Sequence, residues 1–292
     1  MKDRKRIYAK LSKLLVVVLR LVLIVGLCYI ILKPLIQYFL YACMSLEDYR
    51  DYTVSNIPKH WSLYNWKKAA ELLKLFDGAG ARSLLFALST ALLQMVSSMV
   101  IGYGLARFQF PGKKILTVML FVVMLVPGTV LQLPEYFKFR YFGVGGATVN
   151  LINTLTPYYI LSLTGLGLKQ ALYIFLMRTL FMQMPVDLEN AAYIDGAGVF
   201  RTFLSVAVPQ CKSLMITVFL FAFCWTWTDS SFAKAFYPDM SLVSSKLLSL
   251  SGTDLGNTLY AGIIMMVAPM LLLVIVCQKQ LVKSISMSGM AN

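Results

Sequence analysis

Few residues of this 292-residue chain have types and spacing suited to chemistry. The single histidine, His60, sits in a polar segment away from every apolar run, and no Ser/His pair, paired aspartates or metal cluster stands at a common depth with it. The five cysteines, Cys28, Cys43, Cys211, Cys224 and Cys277, lack paired metal-ligand spacing and mostly fall in or beside apolar runs. They read as small hydrophobes, not as a disulfide or zinc framework. A Gly-x-x-x-x-Gly-Lys-Ser/Thr phosphate-binding loop is absent, so the chain is expected neither to bind ATP nor to act as an enzyme.

What remains is a set of polar residues in apolar surroundings. Lys169 stands near the middle of a long apolar stretch, where an ionisable group is costly and often lines a pathway. It either faces a solute cavity or sits in a polar bundle interior. Gly165 and Gly167 just before it either open a cavity or let helices pack closely, and packing is the better reading. Phe221, Phe223, Trp225 and Trp227 precede Asp229. Their aromatic faces suit the apolar patches of sugar rings, and a membrane-interface belt explains them equally well. Lys169, Trp225 and Trp227 are therefore the candidate solute-pathway residues.

The elements that must carry these residues follow from composition. The chain is 59% hydrophobic and 14% charged, against roughly a quarter charged in soluble domains. A membrane-spanning helix needs about 20 mostly apolar residues because its backbone groups must be satisfied within the segment. About six stretches qualify: 14–41, 83–106, 115–133, 155–176, 213–228 and 258–277, the first interrupted and the fifth short. The fold class is all-α, a polytopic membrane protein. Residues 1–13 form a basic N-terminus, but the apolar run after them is too long for a signal peptide and lacks a small-residue cleavage site.

The net charge of +14 is distributed by topology, not gathered into a nucleic-acid-binding face. With the N-terminus inside, the inner segments are strongly basic while lysines and arginines of the outer segments are balanced by acids, so both termini are expected in the cytoplasm. The segment 42–82 is then extracytoplasmic, with Trp61 and Trp66 as an interfacial belt or a docking surface for an external partner. Residues 278–292 form a cytoplasmic tail. The inner loop at about 178–212 is polar yet keeps a helical rhythm through Leu188, Ala191, Ala192 and Ile194 before Asp195-Gly196, which predicts helix, turn, helix. Asp187 is placed to cap the first helix, with Asn190 as partner, Gly196 to end it, and Pro209 to fix the approach to the fifth span.

At this point the residues resemble a family. Glu189-Asn190-Ala191-Ala192-Tyr193-Ile194-Asp195-Gly196-Ala197, followed by Val206, Val208 and Pro209, is similar to the EAA loop of binding-protein-dependent ABC importer permeases. Asn190 stands where the motif has its glutamate, and Glu189 matches the further acid often found upstream. Pro58 to Trp66, Ala106 to Lys114, Val126-Pro127-Gly128, Phe175 to Arg178 and Gln278 to Lys283 also fit family segments. The similarity covers nearly the whole chain, is strongest to the carbohydrate branch, which includes the second permease subunit of the maltose importer, and implies the type I ABC importer permease fold, with a five-helix core over 83–277.

The resemblance implies a bacterial plasma-membrane permease subunit working with a second homologous permease, two ABC ATPase subunits that bind ATP and Mg, and an extracytoplasmic solute-binding protein. It gives the loop the role of a coupling helix seated in a groove of the ATPase. Ala191 and Ala192 would be the packing face, Asp195 and Gly196 the turn, Pro209 the exit, and Glu189 a polar contact to the ATPase. The rival reading, a secondary transporter acting without an ATPase, would need an internal repeat, and none is evident.

Overall fold

The computed structural model describes residues 2–144, 147–237, 239, 242–251 and 256–289. Met1, Asp254 and the last three residues of the C-terminal tail lie outside them. In chain order the elements are α1 (Lys2–Ala42), α2 (Leu46–Arg50), α3 (Tyr64–Leu72), a π turn (Leu75–Ala79), α4 (Gly80–Arg107), α5 (Lys113–Leu125) and α6 (Gly128–Arg140). A two-stranded hairpin follows, β1 (Phe142–Val144) against β2 (Ala147–Val149), then α7 (Thr156–Thr164), α8 (Gln170–Gln183), α9 (Asp187–Ile194) and α10 (Val199–Thr202). A second π turn (Phe203–Ala207) leads to α11 (Val208–Gln210), α12 (Lys212–Thr228), α13 (Ser231–Phe236), α14 (Val243–Leu250) and α15 (Thr258–Gly289).

Three helical runs, Lys13–Ala42, Tyr64–Arg107 and Thr258–Val282, are long and apolar enough to cross a membrane, and three bent helix pairs raise the number of candidate spans to as many as six. The first stretch is not interrupted: α1 continues through Pro34. The third is broken where expectation had one helix. Pro127 cannot donate to the carbonyl one turn back, so α5 ends at Leu125 and α6 restarts at Gly128, bent by 108°. The fourth is broken between Gly165, which closes α7 in the left-handed region, and Lys169, itself at φ 57° before α8. The helical run of the second span starts at Tyr64, within the segment expected outside, and kinks at Asp77 and Gly78.

The chain forms two compact units. The smaller comprises residues 1–71 and 253–265. Its core is Ala42, Ala69 and Ala261, with Trp66 and Tyr260 packed on them. Trp66 lies edge-on to Phe39 and is a packing residue, whereas Trp61 is 62% exposed beside a single β-bridge to Met44.

The larger unit comprises residues 72–252 and 266–292. α4 runs between α8 and α12 and buries Phe86, Ala87, Ala91, Gln94, Ser98 and Tyr103. Gly102 makes the closest approach possible: a Cβ there would stand 2.7 Å from the Met177 Cβ on α8. Small residues at such crossings let backbones come together where lipid offers helices no hydrophobic drive to associate. The break before α8 is stapled to α4 by polar groups. Gln170 Nε2 donates to Ser97 Oγ (2.6 Å) and to the Ser162 carbonyl (2.7 Å), and the Gly167 N–H donates to Gln170 Oε1 (2.8 Å).

Candidate coupling loop and solute cavity

The segment following α8 is the helix, turn, helix expected of it. α9 ends in a Schellman arrangement: the Ala197 N–H donates to the Ala192 carbonyl (2.9 Å) and the Gly196 N–H to the Tyr193 carbonyl (3.0 Å), with Gly196 at φ 80°. Only a residue without Cβ takes that conformation at low cost. The start differs from expectation. Asp187 is the first residue of α9, not its cap, and Val186 at the cap position makes no side-chain bond. The acids of the first turn, Asp187 and Glu189, instead favour the helix through its dipole.

Asn190, Ala191, Asp195 and Gly196 are exposed and Ala192 is half-buried. Beyond the alanines, the loop displays apolar side chains: Ile194, used in the sequence reading only as periodicity, is 86% exposed, and Phe200, which had no part in that reading, 73%. With Val199 of α10, Phe203 of the second π turn, and Val100, Tyr103 and Phe108, Phe200 borders an apolar cavity of about 280 Å³. Pro209, also exposed, stands in α11 just before the 79° bend into α12.

Glu189 does not face outward. Its side chain is 4% exposed, and Arg107, from the last turn of α4, is 12% exposed. Arg107 Nε donates to Glu189 Oε1 (2.8 Å) and Nη2 donates to the Met184 carbonyl at the end of α8 (2.9 Å). Tyr103, one turn back on α4, donates its hydroxyl to Glu189 Oε2 (3.1 Å). The Tyr103 ring is itself fixed by Phe181 and Phe203, 5.2 and 4.7 Å away between centroids. In this chain both oxygens of the carboxylate expected to contact an ATPase are engaged internally. Arg107 and Tyr103 had no place in the sequence reading of the site.

The second site is a cavity of about 290 Å³ between α5, α6, the ends of α7 and α8, and α12. Lys169 and Trp225 both line it, the ammonium lying 5.3 Å from the indole centroid. Among the described residues Lys169 has no carboxylate within ion-pair distance. Glu135 of α6 lines the same cavity, and its Oε2 is buried without a hydrogen-bond partner. Tyr158 adds a wall, its hydroxyl donating to Asp229. Trp227 takes no part: it is 6% exposed, stacks on Phe223 and donates its indole N–H to the Met266 carbonyl (2.8 Å). The sequence signal for Glu135, an ionisable residue within helical reach of an apolar run, was there, but the run was taken to end before it.

Residues 98–287 match the family described as binding-protein-dependent transport system inner membrane component. The chain belongs to this family. It is 27% identical to the diacetylchitobiose uptake system permease protein NgcG of Streptomyces coelicolor, over 79% of this chain and 75% of that protein. It is 25% identical to the maltodextrin transport system permease protein MdxG of Bacillus subtilis, over 78% and 80% respectively. Its fold matches, with TM-score 0.68 and 18% identity over 92% of this chain and 97% of the other, a chain from the crystal structure of a bacterial ABC transporter involved in the import of the acidic polysaccharide alginate. The chain is thus an ABC importer permease subunit, a membrane-spanning component of a transport system that also includes ATPase and solute-binding proteins.

Proposed function

We propose that this permease subunit carries a saccharide across the plasma membrane, with both termini in the cytoplasm, in a complex with one related permease, two ATPase subunits that hold ATP and Mg, and an extracytoplasmic solute-binding protein. In this reading α9 is the coupling helix. Ala191 and Ala192 give it a flat face for close approach by the ATPase, Ile194 and Phe200 add apolar contact, Asp195 and Gly196 set its C-terminal end, and Pro209 sets the exit of the loop toward α12. The observation that carries the reading is the Schellman-terminated α9, which presents small and apolar side chains while a buried bond holds it from behind. Lys169 and Trp225 line the solute's path, together with Glu135. Diacetylchitobiose and maltodextrin relatives support a saccharide as cargo.

Purification of the tagged chain from its native membrane in mild detergent should bring down a second permease and an ATPase; a lone chain would overturn the complex. The loop assignment is tested by Gly196→Val. A β-branched residue at positive φ is strained by roughly 1–3 kcal/mol, enough to disturb the end of α9 without preventing insertion. ATP hydrolysis should persist while growth on diacetylchitobiose or maltodextrin, whichever depends on this chain, is lost. Normal growth with normal hydrolysis would remove the assignment.

A further inference from the structure

The link from α8 to α9 is short, Met184-Pro185-Val186, and the helices it joins are bent by 73°. The Val186 carbonyl already belongs to α9, accepting from the Glu189 and Asn190 N–H groups, so the freedom to hinge lies at Met184 and Pro185, between the two helical ladders. Arg107 spans this joint. One edge of the guanidinium holds the carbonyl of Met184, the residue that caps α8, another holds a carboxylate in the first turn of α9, and Arg107 itself belongs to α4. Tyr103 occupies the remaining carboxylate oxygen, so Glu189 is bound from two positions on α4 one turn apart. The group is nearly closed to water, where charge-assisted bonds are stronger and a displaced partner is costly.

We infer that Arg107 is a positioning residue for transport: the Arg107–Glu189–Tyr103 bond makes α9 rigid with α4, so that a displacement of α9 is delivered to α4, α8 and α12 instead of being absorbed at the Pro185 joint. α4 is suited to receive it, since it packs along both α8 and α12, with Gly102 against Met177. The departure at Asn190 fits this division: the loop keeps its one buried acid for the internal bond and shows an uncharged amide at the neighbouring exposed position. The inference rests on the coupling reading of α9.

The test uses the complex purified with its own partners and reconstituted in liposomes, with Leu166→Cys, on the cavity wall, as reporter in a background where the native cysteines are replaced by serine. Two quantities are read: ATP hydrolysis, and the change in maleimide labelling rate at position 166 on vanadate trapping. Arg107→Met keeps the side chain's bulk and loses the bonds. It should retain hydrolysis within about twofold yet lose about tenfold of the labelling change, the scale of one charge-assisted bond. Arg107→Lys, which keeps the ion pair, should restore part of the change, and Tyr103→Phe should weaken it least.

Labelling changes that stay normal in all three variants overturn the inference, as do changes that fall only in proportion to hydrolysis, or Met serving as well as Lys. Should Arg107→Met fail to assemble, Lys and Phe variants with unaltered labelling overturn it equally. Absence of any trapping-dependent change in the complex with Arg107 and Tyr103 intact would instead sink the coupling reading itself.

Discussion

Behind α9 the buried carboxylate is fully engaged: Glu189 has Arg107 and Tyr103, and Arg107 also has the Met184 carbonyl. Around the cavity two ionisable groups are left open: among the described residues the exposed Lys169 ammonium meets only the face of Trp225, and one oxygen of Glu135 is buried with no hydrogen-bond partner. A satisfied buried network rigidifies and is costly to disturb, whereas polar groups held open in a concave apolar wall are what a ligand can complete. The two regions of the same unit therefore teach opposite uses of one physical rule: the loop side can transmit motion because the Glu189 carboxylate is fully engaged, and the cavity side can recognise a solute because Glu135 keeps an oxygen free of partners.

The strongest way to break this contrast is Lys169→Met. Removing the ammonium takes an ion-pair partner from no carboxylate among the described residues and forfeits a cation–π contact worth roughly 0.5–1 kcal/mol. Folding should barely change. If the ammonium bonds a solute hydroxyl or anion, the loss of a charge-assisted bond of about 1.5–3 kcal/mol lowers apparent affinity by about ten- to a hundredfold. Uptake kinetics and the thermal midpoint, measured on the same preparation, decide it. A lowered midpoint with unchanged uptake would place Lys169 with the satisfied groups.

A smaller effect sharpens the comparison at the cavity floor, where Gln170 is bonded although it lines the same space. Ser97→Ala deletes one of the two acceptors of its Nε2 but leaves the Ser162 carbonyl, and the Gly167 N–H on Oε1. The expected cost is about 1 kcal/mol of stability, the net worth of an ordinary hydrogen bond. The thermal midpoint should fall by a few degrees, with uptake per folded complex unchanged. An uptake defect at normal stability would mean that the staple serves the solute directly.

The sequence made some of this legible and not the rest, for particular reasons. Hydropathy located the spans because lipid demands long apolar runs, yet it could not see the break before α8, since Gly165, Leu166, Gly167 and Leu168 are as apolar as the helices they interrupt. Gly196 announced the end of α9 because a Schellman turn is written in a few adjacent residues. The Arg107–Glu189 bond joins residues 82 apart and was invisible to local pattern. Trp225 and Trp227 were grouped by proximity in sequence, but two steps along a helix turn the side chain by about 200°. One therefore meets the cavity and the other the bundle interior.

A third arrangement, in the smaller unit, lies between the two extremes and should give the smallest effect. Asp48 is 3% exposed and fully bonded: Oδ2 accepts from the His60 backbone N–H (2.7 Å), and Oδ1 lies 2.9 Å from His60 Nδ1. The imidazole, however, is 66% exposed, so water screens the pair. The bond from the His60 amide, above all, lowers the Asp48 carboxyl below its usual range, and the hydrogen bond to Asp48 raises His60. A lowered acid stabilises above the ordinary carboxyl value of about 4 and loses that contribution as pH falls through its own value. A raised imidazole stabilises below its ordinary value of about 6.5 and loses that contribution as pH rises through its own. The segment should therefore be tightest between about pH 4 and about pH 6.5, read as slowed hydrogen exchange at the Ser45 and His60 amides after correction for intrinsic rates. His60→Ala keeps the backbone amide and loses the ring, so it should abolish the alkaline limb and preserve the acid one. Persistence of the alkaline limb in that variant would assign it to a group other than His60.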